Sequence, residues 1–259
     1  MTQELLFDKR GEIAWITFNR PRQRNALTFA MYEGLAEICG RIGRTGEAKA
    51  LVITGAGDQA FAAGTDIAQF RDFKGGDDGI AYERKMDRIL DAIERCAVPT
   101  IAAIAGFCTG GGAAIAAVCD LRIAAASARF SFPIARTLGN CLSMANYARL
   151  AALIGPQRVK EMLLLARMID APTALDVGLV SEVLPDTATL HARAEELART
   201  VAGNAPITLQ VTKEALRRLQ ARMGEENIDD LIRLAYGSAD FREGMAAFLE
   251  KRAPKWSGT

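Results

Sequence analysis

Three consecutive glycines, Gly110-Gly111-Gly112, follow the segment Gly106-Phe107-Cys108-Thr109 and open an alanine-rich run that continues to Val118 and on to Cys119-Asp120. Glycine permits a positive φ and removes the side chain that would hold a ligand off the backbone. A helix starting here would add unpaired N–H donors and the positive end of its dipole. Such a junction suits an oxygen on which negative charge develops. A phosphate fits the same description, but the Lys-Ser/Thr ending of a P-loop and the G-x-G-x-x-G spacing of a dinucleotide fold are both absent. Alone, the triplet reads as a tight strand-to-helix turn with close packing.

A second glycine-bearing turn gives it context. Phe61-Ala62-Ala63-Gly64-Thr65-Asp66-Ile67 also follows an apolar strand, Leu51-Val52-Ile53-Thr54, so two strand-exit loops could converge on one oxygen. With these residues in place, the chain resembles the crotonase (enoyl-CoA hydratase/isomerase) superfamily, whose F-x-A-G-x-D-[IL] and G-x-x-x-G-G-G segments each supply one backbone N–H to a thioester oxygen. The resemblance spans nearly the whole chain. It includes Asn19-Arg20-Pro21, Asn25-Ala26-Leu27, the run from Pro99 to Gly106, the run from Cys119 to Ala124, the run from Ala174 to Val180 and the run from Glu243 to Arg252.

The resemblance implies several things. The N–H groups of Thr65 and Gly111 become the oxyanion donors for an enolate-like thioester, where losing one donor typically costs about 10²–10³ in rate, roughly 3–4 kcal/mol. Coenzyme A, as part of the substrate and not a separate cofactor, would lie near Arg22 and Arg24, with Ala63, Asp66 and Ile67 around the adenine and Lys251 near phosphate. From the residues themselves, Asp66 reads equally as a helix N-cap and the two arginines as solvated loop charges. The implied fold is a spiral of repeated ββα units over 1–200, followed by a helical oligomerisation region over 201–259 that covers a neighbouring subunit. The implied assembly is a homotrimer or homohexamer.

One departure bears on the reaction. Family hydratases carry two glutamates at positions that here are Ala114 and, after Pro133, Ile134. Hydration needs a base to activate water and an acid to protonate carbon, each contributing about 10²–10⁴-fold when positioned. Family isomerases manage with one carboxylate at the second position, and Ile134 removes that one too. The stretch 131–160 contains no Asp or Glu. It offers Thr137, Asn140, Cys141, Ser143, Asn146, Tyr147 and one nearby charge, Arg136, whose planar fork would suit a second substrate carboxylate but which reads more simply as an ion-pair partner elsewhere. Tyr82, Glu83 and Arg84 are expected to begin a helix after the loop Gly75-Gly76-Asp77-Asp78-Gly79. Glu83 could lean inward as a base, although an exposed helix face explains it more cheaply. The expected function is an acyl-CoA enzyme acting through enolate stabilisation. A malonyl-type decarboxylase, which needs no base because loss of CO₂ itself makes the enolate, and a non-catalytic acyl-CoA binder are the alternatives.

Other chemistries have little material. The single histidine, His191, sits in a polar helical pattern that reads as surface, so Ser-His-Asp and Cys-His systems are not expected. The five cysteines form no C-x-x-C pair, which speaks against zinc and for free thiols in a reducing compartment. With 32 Lys+Arg against 31 Asp+Glu the chain has no electrostatic footprint for nucleic acid. No run approaches the ~20 apolar residues of a membrane span, and a cytoplasmic location is expected.

At 259 residues the chain can bury roughly three-quarters of its unfolded surface. An α/β pattern positions the two loops: a hairpin of 5–10 and 12–18 around Gly11, a helix over 28–44, strands over 50–54, 100–105, 121–125 and 180–184, and helices over 80–95 and 112–118. Asp170-Ala171-Pro172 reads as an N-cap with proline in the first turn, ending at Gly178, and the chain is helical after 184. Because a backbone donor survives ordinary side-chain substitution, the direct test is Gly111→Pro, which deletes the N–H. We expect it to abolish turnover, and normal activity in a well-folded variant would remove Gly111 from this role.

Overall fold

The structure, a computed structural model, describes residues 3–259. The chain opens with strands β1 (Leu5–Arg10) and β2 (Ile13–Phe18), joined through Gly11 at φ 62°, and helix α1 (Phe29–Thr45), whose N-cap Thr28 accepts from Met31 N at 3.3 Å. Three strand pairs follow, each leading to a helix: β3 (Ala50–Gly55) and β4 (Ala60–Ala62) to α2 (Gly76–Glu94), then β5 (Thr100–Ile104) and β6 (Phe107–Thr109) to α3 (Gly111–Val118). The third pair is β7 (Leu121–Ala125) and β8 (Arg129–Ser131), followed by a short α4 (Ile134–Thr137) and a long α5 (Met144–Leu164). β9 (Ile169–Asp170), α6 (Ala171–Asp176) and β10 (Val183–Leu184) complete the strands, and α7 (Thr187–Ala202), α8 (Pro206–Ala221), α9 (Asp229–Gly237) and α10 (Ala239–Leu249) end the chain.

The first strand of each pair joins one sheet and the second joins another. The larger sheet has the order β1-β2-β3-β5-β7-β10, parallel from β2 onward. The smaller has the order β4-β6-β8-β9. This is the expected ββα repeat. Buried strands explain why it holds: every residue of β3, β4 and β5 is buried, as parallel strands covered on both faces must be. On one face Leu190, Ala194 and Ala198 of α7 pack on Trp15, Val52 and Ile101. On the other, Met31, Leu35 and Ile38 of α1 join Ile16, Leu51 and Ile53.

Three sequence expectations change. Gly76 and Gly79 are not loop: α2 starts at Gly76, because Asp78 Oδ2 accepts from Lys74 N at 2.7 Å and Gly75 N at 3.2 Å. A Cβ on Gly76 would lie 2.5 Å from Arg233 Cγ, and one on Gly79 would lie 2.2 Å from Tyr236 Cγ, so these glycines let α9 close on α2. The strand expected over 180–184 shortens to two residues. Leu179 N and Val180 N are taken by Ala174 O as the α6 turn unwinds. His191 is half-buried rather than on a free surface. Its Nε2 lies 3.2 Å from Thr54 Oγ1, its ring stands edge-on to Trp15, and burial, with Arg10 nearby, lowers its pKa.

The last helices divide in two. α9 and α10 fold back on their own chain, against α2 and against α4 with the 3-10 turn Ile67–Phe70. α8 buries no residue and leaves Ile207, Val211 and Leu219 exposed. Among the described residues no helix is long and apolar enough to cross a membrane.

Candidate functional site

Parallel pairing of β4 with β6, Ala60 opposite Phe107 and Ala62 opposite Cys108, makes both strands exit at the same end, so their loops run side by side. The approach is close. A Cβ on Gly110 would lie 3.6 Å from Gly64 Cα, and one on Gly112 would lie 2.4 Å from Ala62 O. Gly64 and Gly110 take φ of 104° and 50°, which side chains resist. Leu27 bridges this loop by donating to Gly64 O and accepting from Asp66 N, both at 2.8 Å. In such a parallel bridge the intervening Thr65 N–H is turned away from Leu27. Gly111 is the first residue of α3, so its N–H has no intrahelical acceptor. Among the described residues neither N–H has a hydrogen-bond partner, and both residues line one cavity of about 890 Å³.

A chain of hydroxyls backs this cradle. Thr65 Oγ1 lies 2.9 Å from Tyr32 Oη and 3.2 Å from Tyr82 Oη, and burial raises both phenols so that they stay neutral. Tyr32 Oη sits 1.7 Å from where a Gly111 Cβ would be, so this position accepts only glycine while the hydroxyl is there.

Ala114 and Ile134 both line the cavity and neither side chain moves a proton. A carboxyl group does line it, however, and it comes from α2. Glu83 is 4 % exposed, which corrects the expected exposed helix face. Its position, one turn before Met86 and on the stripe that continues through Leu90 and Ile93, is the signal that places it inward. Tyr236 Oη of α9 donates to Glu83 Oε1 at 2.5 Å, and Ser143 N donates to Glu83 Oε2 at 3.1 Å. Burial pushes the Glu83 carboxyl up to about 8, with Asp87 adding to the rise while the Tyr236 and Ser143 donors oppose it. Asp87 is held by Ser143 Oγ at 2.6 Å and lies 4.0 Å from Arg149.

The remaining candidates separate by position. Thr137, Asn140 and Asn146 line the cavity, whereas Cys141, Ser143, Tyr147 and Arg136 do not, and Arg136 is exposed. Arg84 is turned outward and pairs with Asp229. Asn140 Nδ2 donates to Tyr236 Oη at 3.1 Å, and Asn140 Oδ1 is buried with no partner among the described residues. Arg22, Arg24, Ala63, Asp66, Ile67 and Lys251 all line the cavity, Lys251 from the same chain beside Phe248. Asp66 is an N-cap: Oδ1 accepts from Ala68 N at 3.2 Å, while Oδ2 meets Arg20 Nη1 at 2.9 Å. No cluster of metal-ligating residues occurs among the described residues, and the five cysteines are free.

A carboxyl group whose folded pKa is raised costs stability as pH rises from its unfolded value through its folded value, because the unfolded chain ionises first. For Glu83 that window runs from the ordinary glutamate range to about 8. Glu83→Gln, isosteric with the protonated acid, removes the cost, on the order of 3–5 kcal/mol once ionisation is complete. We expect denaturant unfolding of wild type and Glu83→Gln to give similar stabilities near pH 5 and a growing advantage for the glutamine toward pH 8. Parallel profiles would show that Glu83 is ionised in the folded protein throughout.

Comparison with known proteins agrees with this geometry. The family model for enoyl-CoA hydratase/isomerase matches residues 8–259. The short-chain-enoyl-CoA hydratase of Clostridium acetobutylicum is 32% identical over 96% of this chain and 95% of its own. The 2,3-dehydroadipyl-CoA hydratase of Escherichia coli is 32% identical over 98% and 99%. Among solved structures, a methylmalonyl-CoA decarboxylase in complex with 2-nitronate-propionyl-CoA superimposes with a TM-score of 0.89 at 29% identity, covering 100% of both chains. With its spiral of ββα units, its paired glycine loops and these relatives, the chain belongs to the enoyl-CoA hydratase/isomerase family and has the crotonase fold.

Proposed function

We propose that this chain forms a thioester enolate between the Thr65 and Gly111 N–H groups, and that decarboxylation of a malonyl-type acyl-CoA is the reaction its cavity fits best. The observation that carries the reading is a cavity with two unpaired backbone donors on its wall but alanine and isoleucine at positions 114 and 134. Hydration needs two proton-moving groups placed around the double bond. Decarboxylation needs none to make the enolate: the C–C bond to the carboxylate breaks, CO₂ leaves, and the electron pair moves onto the thioester oxygen. Met86, Leu90, Phe132, Ile134 and Leu138 give the cavity apolar walls, and Arg136 is not there to hold the substrate carboxylate. Such surroundings favour loss of charge at the carboxylate and its transfer to the preorganised donors. The likeness to methylmalonyl-CoA decarboxylase supports the same choice.

In this reading coenzyme A enters past Arg22, Arg24 and Lys251, with Ala63, Asp66 and Ile67 near its adenine. In the same reading residues 201–259 are the region through which trimers or hexamers assemble, and the exposed apolar side chains of α8 support it. The test is a paired assay with methylmalonyl-CoA and crotonyl-CoA, with calorimetric titration of a non-reactive acyl-CoA. We expect acyl-CoA binding, CO₂ release from methylmalonyl-CoA and no hydration of crotonyl-CoA above background. Hydration well above background would contradict the reading, and binding without turnover of either substrate would leave an acyl-CoA-binding protein.

A further inference from the structure

The absent glutamates leave open what completes the reaction, since an enolate freed of CO₂ must still gain a proton at its α-carbon. We propose that Glu83, held from α9 by Tyr236 and from the start of α5 by Ser143 N–H, is the group that gives and takes that proton. The inference rests on the enolate reading above but not on decarboxylation as the particular reaction.

Position carries it. Among the carboxylates lining the cavity, Asp66 is committed to Arg20 and to the N-cap of the turn Ile67–Phe70, and Glu83 has no ion-pair partner among the described residues. The preceding residue, Tyr82, reaches Thr65 Oγ1 at 3.2 Å, and Met86 and Leu90, on later turns of α2, line the same cavity. The carboxyl is therefore on the helix that walls the acyl space, beside the cradle. Its two donors fix its orientation, and Asn140, which also lines the cavity, braces Tyr236. The groups that face it are Asp87 and Tyr82 of α2, Tyr236 of α9, Tyr32 of α1 and Cys141 and Tyr147 around the start of α5. Burial keeps the acid neutral to about pH 8, and among the described residues none of these groups is a cation that would offset it.

The step balances. The Glu83 O–H breaks, its proton forms the new C–H bond as the enolate returns to the thioester, and the carboxylate left behind is reprotonated from solvent. In reverse, ionised Glu83 removes an α-proton from a saturated acyl-CoA. That reverse step separates this proposal from the choice of reaction.

The experiment is exchange of the α-protons of propionyl-CoA in D₂O, followed by NMR for wild type, Glu83→Gln and Tyr236→Phe. Calorimetry of each variant with propionyl-CoA reports binding. We expect wild type to exchange at a rate that rises with pH and levels off above about 8. Glu83→Gln should lose about 10²–10⁴-fold while binding changes by no more than a few-fold. Tyr236 is a positioning residue: loss of its donated bond raises the Glu83 pKa, so Tyr236→Phe should move the midpoint of the profile upward, which a purely structural role would not do. Exchange in Glu83→Gln at the wild-type rate overturns the proposal. So does a wild type that binds propionyl-CoA and exchanges nothing, or a Tyr236→Phe profile with an unmoved midpoint. Exchange that depends on Glu83 without decarboxylation of methylmalonyl-CoA supports Glu83 and sinks the decarboxylase reading instead.

Discussion

A backbone N–H that the protein does not satisfy is left to water or to a ligand. Among the described residues the Thr65 and Gly111 N–H groups have no protein partner, and much of the surrounding structure keeps them open to the cavity. Thr65 is turned away from Leu27 by the bridge that Leu27 makes on either side of it. Gly111 is freed by being the first residue of its helix. The β4–β6 pairing then fixes the two loops against one another, with Gly112 leaving no room for a side chain and Gly64 and Gly110 taking positive φ that side chains resist. In the proposed reaction a thioester oxygen gaining negative charge takes both bonds, which favours the transition state over the neutral ground state.

The second dependence is between α2 and the end of the chain. Gly76 and Gly79 let α9 lie against α2, and that contact buries Glu83 and delivers the Tyr236 hydroxyl to it. The same contact shuts water away from the carboxyl group, which raises its pKa. The burial of the proposed proton-moving group is thus made by packing between elements far apart in sequence.

This explains what was legible in the sequence. The hairpin around Gly11, the helix expected over 28–44, the Asp170 cap and the buried strands depend on neighbours in the chain, and they appear where the residues indicate. The convergence of the two glycine loops was legible because close backbone approach and positive φ call for glycine. Glu83 was legible as a candidate but not as buried. Its periodicity with Met86, Leu90 and Ile93 pointed inward, but the pair Gly76 and Gly79 read as loop, since the helix that covers them comes from residues 229–237. His191 failed for the same reason: its polar neighbours hid a helix lying across the larger sheet. The missing signal in each case was a partner surface that no local pattern encodes.

The most direct measurement is the infrared difference spectrum of a non-reactive acyl-CoA carrying ¹³C at its thioester carbonyl, free and bound to the protein. Donation from Thr65 N–H and Gly111 N–H polarises that carbonyl toward the enolate. The account predicts that its stretch moves to lower wavenumber on binding. A bound acyl-CoA whose carbonyl absorbs where it does in water would mean that the two donors do not hold the thioester oxygen, and the account would fail at its centre.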